Sequence, residues 1–214
     1  MAALLDLVET TIGLPSTQGL AGLQLTLLRP RDSEALLDET AFEREEYLPY
    51  WAELWPSGLA LARSLAGRRL EGCRAIELGC GLAVPSIVAA LRGARVLATD
   101  WSVDAVAMVA RNAHRNGVRL ESCVCSWADP EQLVAMGPWD LLLAADVLYE
   151  RRNVELLLEL LPQLVARGGE VLIADPGRPA TASFLRAAES TWQVRDERDH
   201  LAPSVTLYRL TELS

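Results

Sequence analysis

The stretch Arg74-Ala75-Ile76-Glu77-Leu78-Gly79-Cys80-Gly81-Leu82-Ala83-Val84-Pro85 decides the fold. Its first five residues predict a strand and Val84–Arg92 predicts a helix, so the glycines fall on a strand-to-helix turn. Gly79 and Gly81 let the backbone approach a ligand that any β-carbon would push away. The helix that follows offers free N–H groups at its start, and Pro85 is tolerated in that first turn. A dinucleotide turn would want a third glycine where Val84 stands. Glu77, just before the glycines, suits a cationic amino acid moiety better than a pyrophosphate. A tight turn that binds nothing is the competing explanation.

Outward from this turn, short β-type runs alternate with helical patterns. Arg74–Leu78, Arg95–Thr99, Leu120–Cys125, Trp139–Ala144 and Glu170–Ala174 read as strands; Val84–Arg92, Val103–Asn116, Val154–Val165 and Thr181–Trp192 read as helices. Gly93, Gly117, Gly137 and the pair Gly168–Gly169 sit where helices should end and strands begin. This alternation predicts an α/β fold with a mostly parallel sheet and helices on both faces. The tail differs. Gln193–Glu197 and Val205–Leu210 are two strands with no helix between them, which requires an antiparallel hairpin. Before the turn, Leu23–Leu28 reads as a strand and Leu59–Leu70, after Pro56, as a helix. One domain is expected over residues 1–214, with 1–55 an extension or a flap over the ligand and 56–214 the binding core.

Bulk properties narrow the function. A formal charge of −9 disfavours a nucleic-acid partner, because phosphate binding needs a basic face. An acidic surface suits a cationic partner or simply aids solubility, and the run Glu43-Arg44-Glu45-Glu46 reads as a solvated helical face open to either role. No run of about 18 apolar residues appears, so no membrane span is expected. The N-terminus carries Asp6 and Glu9 and no basic segment, so the expected location is the cytoplasm. All 20 basic residues are arginine; the chain contains no lysine. Cys73, Cys80, Cys123 and Cys125 form no CxxC pair and only two histidines exist, so no metal site is expected and the thiols should be reduced. His114, on a helix, and His200, in the terminal loop, are assigned no chemistry.

In an open α/β sheet, ligands sit beyond the carboxyl ends of the strands. Glu77, Asp100, Trp127, Asp146 and Asp175 all fall at such ends, on five successive strands. Asp100, 21 residues after Gly79, can accept hydrogen bonds from both hydroxyls of a ribose, or can cap the helix beginning near Val103. Trp101 can lie against an adenine.

These residues resemble methyltransferase family 16, lysine methyltransferases within the class I group. The resemblance covers roughly Tyr50 to Pro179 and rests on Trp55-Pro56-Ser57-Gly58, on Glu77–Leu82, on Asp100, on the strand-end Trp127 and on the Asp-x-x-Tyr of Asp146–Tyr149. The string Asp175-Pro176-Gly177-Arg178-Pro179 is similar to the branch acting on the β subunit of electron transfer flavoprotein. Ala83 departs from the family, which often has a third glycine there. The resemblance implies a Rossmann-like seven-stranded methyltransferase fold with S-adenosylmethionine as cofactor and S-adenosylhomocysteine as product. It implies that Glu77, Gly79 and Gly81 contact the methionine part and Asp100 the ribose. Trp127 and Ala145 would border the adenine, and Trp55 would cover the cofactor. Asp146 and Tyr149 would flank the acceptor amine. Asp175 and Arg178 are candidates for substrate binding; Arg178 either holds an acidic substrate group or only completes a surface ion pair.

The implied acceptor is a protein lysine, with an electron transfer flavoprotein subunit as one candidate, on a monomeric enzyme. Asp146 is then expected to orient the ammonium rather than deprotonate it, because a carboxylate raises a lysine pKa where desolvation lowers it. A small-molecule N-methyltransferase, an NAD-binding oxidoreductase and a non-catalytic nucleotide-binding module remain the alternatives.

Overall fold

The computed structural model describes residues 6–15, 19–33, 36 and 50–213. The acidic run at 43–46 lies outside them. Two strands come first, β1 (Leu7–Leu14) and β2 (Leu23–Pro30), paired antiparallel. A 3-10 turn at Tyr50–Ala52 leads into helix α1 (Pro56–Ala66). Then follow β3 (Arg74–Leu78), α2 (Val84–Leu91), β4 (Arg95–Asp100), α3 (Val103–Arg115), β5 (Glu121–Val124), α4 (Glu131–Met136) and β6 (Trp139–Ala145). The chain closes with α5 (Arg151–Leu164), β7 (Val165–Asp175), α6 (Thr181–Ala188), β8 (Trp192–Arg198) and β9 (Thr206–Glu212).

Strands β3 to β9 form one sheet in the order β5-β4-β3-β6-β7-β9-β8. The first five strands in that order run parallel, and β9 and β8 add an antiparallel ending. The order reverses between β3 and β6, so both strands carry their connections away from a crevice at their carboxyl ends. Alternate residues serve opposite faces, which explains why the central strand β6 is apolar on both faces from Leu141 to Ala145. Leu141 and Leu143 of β6 join α1 and α2 in one core, through Leu61, Leu65 and Ile87. Leu142 and Ala144 join α5 and α6 in the other, through Leu157, Leu161 and Phe184.

Several boundaries differ from expectation. Helix α1 stops at Ala66, four residues short of Leu70, where Gly67 caps it. Strand β1 and helix α4 were not anticipated: β1 mixes polar and apolar residues loosely, and α4 is too short for a helical period to show. Helix α5 runs directly into β7, so Gly168–Gly169 lie inside that strand rather than before it. The pairing jumps from Trp139↔Val165 to Leu141↔Glu170, leaving residues 166–169 as a bulge.

The β1–β2 hairpin braces α3 and lines no part of the crevice described below. Its attachment is a pair of helix side chains four residues apart. Asn112 accepts from the Leu28 N–H at 2.7 Å and donates to the Leu28 carbonyl; Asn116 does the same at Thr26, at 2.9 and 2.8 Å. Four helix residues rise about 6 Å and two strand residues nearly 7 Å, so the two amides stand in for a neighbouring strand. Asn112 also donates to the Leu82 carbonyl, which ties the brace to the glycine turn.

Candidate cofactor and acceptor site

The crevice at the carboxyl ends of β3 and β6 is a cavity of about 540 Å³, within the usual range for small-ligand sites. On one side lies the glycine turn. Gly79 and Gly81 have φ of +66° and +49°, conformations that side chains rarely adopt. A β-carbon on Gly81 would stand 3.0 Å from the Trp51 carbonyl oxygen, and one on Gly79 3.2 Å from a Val147 methyl. These glycines therefore admit protein as well as leaving room for a ligand. Ala83 is itself left-handed, at φ +60°, which is the physical reason glycine suits that position.

Two buried carboxylates shape the turn. Glu77 accepts from the Ser86 N–H at 2.9 Å and from the Ser86 hydroxyl. It thereby caps α2, whose own N-cap residue Ala83 has no side chain to do so. Its other oxygen has no hydrogen bond among the described residues, and the residue lines the cavity. Burial pushes this carboxyl up to about 8, against the opposing pull of the Ser86 bonds. Asp100 accepts from the Gly81 N–H and the Ser102 N–H, both at 2.9 Å. Burial raises its carboxyl too, and those backbone bonds oppose the rise. Each oxygen keeps a lone pair for a further donor. The helix cap that competed for Asp100 belongs instead to Ser102, which accepts from the Ala105 N–H.

Trp101, Trp127 and Ala145 line the same cavity, Trp101 at the rim with 44% of its surface exposed. Across from the turn stand the candidate acceptor groups. Asp146 follows β6 directly, is buried, and has φ +56°, held there by its N–H donating to the Ala174 carbonyl at 2.8 Å. A non-glycine residue in this region stores strain that surrounding structure must hold, a pattern frequent at functional sites. Tyr149 stacks edge-on against Tyr50, ring centroids 5.6 Å apart, and Tyr50 against Trp55 at 6.0 Å. The Trp55 indole N–H donates to the Tyr50 carbonyl. Burial pushes the Tyr149 hydroxyl up to about 12, so it remains a neutral phenol near neutral pH.

Two expected substrate residues behave differently. Asp175 is fully buried and does not line the cavity. One of its oxygens accepts from the Gly177 N–H, the Arg178 N–H and the Thr181 hydroxyl, so it builds the loop that carries Arg178. Arg178 lines the cavity and pairs with Asp146, Nε to Oδ1 at 2.8 Å, with its guanidinium carbon 5.9 Å from the Trp55 ring centre. The pair is therefore internal to the site rather than a surface bridge. Sequence reasoning missed Tyr50, Ser86 and Asn153. Asn153 donates to the Val147 carbonyl and fixes the bend after Asp146. The aromatic just before the Trp55–Gly58 motif was the available signal for Tyr50. All four cysteines are free thiols; burial pushes Cys125 up to about 11 and Cys80 well above its ordinary value. His114 is exposed on α3 and His200 exposed in the terminal loop, away from the cavity.

A parallel sheet with this reversal and an antiparallel hairpin, open at a glycine turn between two buried carboxylates, defines a methyltransferase fold. Solved structures agree: a ribosomal protein L11 methylase from Lactobacillus delbrueckii subsp. bulgaricus superposes with a TM-score of 0.55 at 24% identity, over 74% of this chain and 77% of that one. More specifically, residues 42–191 match the lysine methyltransferase family model, and the chain belongs to that family. It is 36% identical over 141 residues to the electron transfer flavoprotein beta subunit lysine methyltransferase of Xenopus laevis, covering 63% of this chain and 55% of the relative. It is 34% identical over 132 residues to EEF1A lysine methyltransferase 3 of Mus musculus, covering 59% and 56%. The chain thus spans about half the length of the curated relatives it matches.

Proposed function

We propose that the protein is an S-adenosylmethionine-dependent N-methyltransferase acting on a lysine side chain of another protein. One observation carries the reading: a single cavity joins the glycine turn with Glu77 and Asp100 to a buried carboxylate, Asp146, and to the linked aromatic residues Tyr50, Trp55 and Tyr149. The first half fits the cofactor. Glu77 offers an unengaged oxygen to an ammonium, the backbone at Gly79 and Gly81 leaves room for the amino acid chain, and Asp100 keeps acceptor capacity for ribose hydroxyls. Trp101, Trp127 and Ala145 would flank the adenine. Bound S-adenosylmethionine would supply a methyl group already activated by a positive sulfur.

The second half fits an amine. Asp146 attracts and orients the lysine ammonium, while aromatic faces accept the cation and its aliphatic stem. Tyr149, a neutral phenol, donates or accepts a hydrogen bond there without carrying charge. The nucleophile must be uncharged, and desolvation among three aromatic rings favours the neutral amine, whose proton leaves to water through the open mouth. Most of the acceleration comes from holding the nitrogen in line with the methyl carbon. The names of the relatives support a protein acceptor, and the Asp175–Pro179 string makes an electron transfer flavoprotein subunit the first candidate.

Thermal denaturation with S-adenosylhomocysteine and with NAD tests the cofactor. A ligand that binds only the native state raises its melting temperature, by about 2.7 kcal/mol of stabilisation at a hundredfold excess over Kd. S-adenosylhomocysteine should do so and NAD should not. A shift with NAD alone would make the chain a dinucleotide protein.

A further inference from the structure

Asp146 does not wait empty. Its carboxylate is 5% exposed and already holds a cation, the guanidinium of Arg178, at 2.8 Å. The same guanidinium sits over Trp55, which in turn meets Tyr50, which meets Tyr149. A buried anion with an aromatic face beside its cation is an environment that suits an alkylammonium. Arg178 satisfies every part of that requirement from within the chain. Its backbone is fixed by Asp175, whose carboxylate accepts from the Arg178 N–H at 2.8 Å, while its side chain remains about a third exposed at the mouth. Pairing with Asp146 also raises the Arg178 pKa, so the guanidinium stays charged throughout.

We propose that Arg178 is an internal occupant of the acceptor-lysine seat: its guanidinium holds the place of the substrate ammonium on Asp146 and must exchange with it for a lysine to enter. The proposal deepens the lysine-methyltransferase reading and rests on it for the identity of the incoming cation. Exchange, rather than simple departure, follows from burial. Removing the cation alone would leave Asp146 charged, buried and unpaired, whereas an arriving ammonium replaces one ion pair with another. The seat therefore stays closed to neutral side chains and opens only to a group that can pair with Asp146. Arg178 is a positioning residue that acts through Asp146, and its occupancy lowers the apparent affinity for any external cation by the fraction of time the seat is filled.

Two measurements decide it. The first needs no cofactor. n-Butylammonium, a probe for the end of a lysine side chain, is titrated into wild type, Arg178→Ala and the double variant Arg178→Ala/Asp146→Asn, following the Trp55 indole N–H resonance by NMR. Arg178→Ala should bind the probe at least about tenfold more tightly than wild type, and the double variant should lose that gain. Equal affinity in wild type and Arg178→Ala overturns the proposal. The second uses the absence of lysine from the chain. In Arg178→Lys the new ammonium nitrogen stands about where the guanidinium carbon was, beside Asp146. With S-adenosylmethionine added, the neutral amine's lone pair forms the N–C bond and the C–S bond breaks toward sulfur, leaving a neutral thioether. The proton lost by the ammonium beforehand goes to water. Peptide mass mapping should find methyl groups on residue 178, incorporated on the order of a hundredfold more slowly once Asp146→Asn is added. A variant that binds S-adenosylhomocysteine normally yet leaves residue 178 unmodified overturns the proposal. Failure to bind S-adenosylhomocysteine, with the n-butylammonium pattern intact, overturns the methyltransferase reading and leaves the exchange of cations standing.

Discussion

Replacing Glu77 with Gln isolates the electrostatic cost of one buried carboxylate. In the folded chain burial pushes this group up to about 8, against about 4.3 when unfolded. Below the unfolded value both states hold the proton and the contribution to stability is complete. As pH rises toward the folded value the unfolded chain has released its proton while the folded chain keeps it, so stability falls by about 1.4 kcal/mol per unit and levels off above about pH 8. Between about pH 6 and pH 8 the loss is about 2–3 kcal/mol, or about 5–10 °C of melting temperature for a domain of this size. Gln is neutral, and its amide oxygen can still accept from the Ser86 N–H that Glu77 accepts at 2.9 Å. The cap on α2 survives while the titration is removed. Melting curves of wild type and Glu77→Gln across this range should therefore diverge, wild type falling and the variant staying level apart from changes common to both. A cofactor ammonium at Glu77 favours the ionised form, so stabilisation by saturating S-adenosylhomocysteine should grow with pH in wild type only. Parallel melting profiles for the two proteins would show that Glu77 does not hold its proton on folding.

Gly81→Ala puts a β-carbon at φ +49° and 3.0 Å from the Trp51 carbonyl oxygen; left-handed strain alone costs about 1–2 kcal/mol, and calorimetry should show S-adenosylhomocysteine binding weakened at least tenfold, on the order of 1.4 kcal/mol. Asp146→Asn keeps the shape of the acceptor seat but removes its charge: binding of S-adenosylhomocysteine should change little, while methyl transfer falls on the order of a hundredfold as the amine loses its alignment. Asn112→Ala strands the Leu28 N–H and carbonyl that Asn112 bonds at 2.7 and 3.2 Å. About 2–4 kcal/mol of stability should be lost, and hydrogen exchange should show the amides of β2 opening before those of the large sheet.

The turn from Glu77 to Ala83 was legible because each of its residues answers a local demand: positive φ at two glycines, a helix starting at Val84, a carboxylate before them. The central sheet was legible for a similar reason, since doubly covered strands such as Leu141–Ala145 must be apolar on both faces. The N-terminal hairpin was legible only in its second strand, β2, read from Leu23–Leu28. Its partner is not another strand with a readable period but two amides on α3, Asn112 and Asn116, and nothing in β1 announces that pairing. Asp175 was misplaced because position at a strand end does not say which way a carboxylate turns; three donors in the following loop turn it inward. Arg178 lines the cavity, yet its partner was not legible in the sequence, because Asp146 and Arg178 lie 32 residues apart and meet only through the adjacency of β6 and β7.

Transfer of a methyl group to a lysine nitrogen is tested by incubating the protein with methyl-labelled S-adenosylmethionine and purified electron transfer flavoprotein, then with a whole lysate, and locating the labelled atom by peptide mass spectrometry. Label on the side-chain nitrogen of protein lysines, incorporated on the order of a hundredfold more slowly with Asp146→Asn, is the predicted result. Label recovered only in small molecules, or on a protein atom other than a lysine nitrogen, would contradict it.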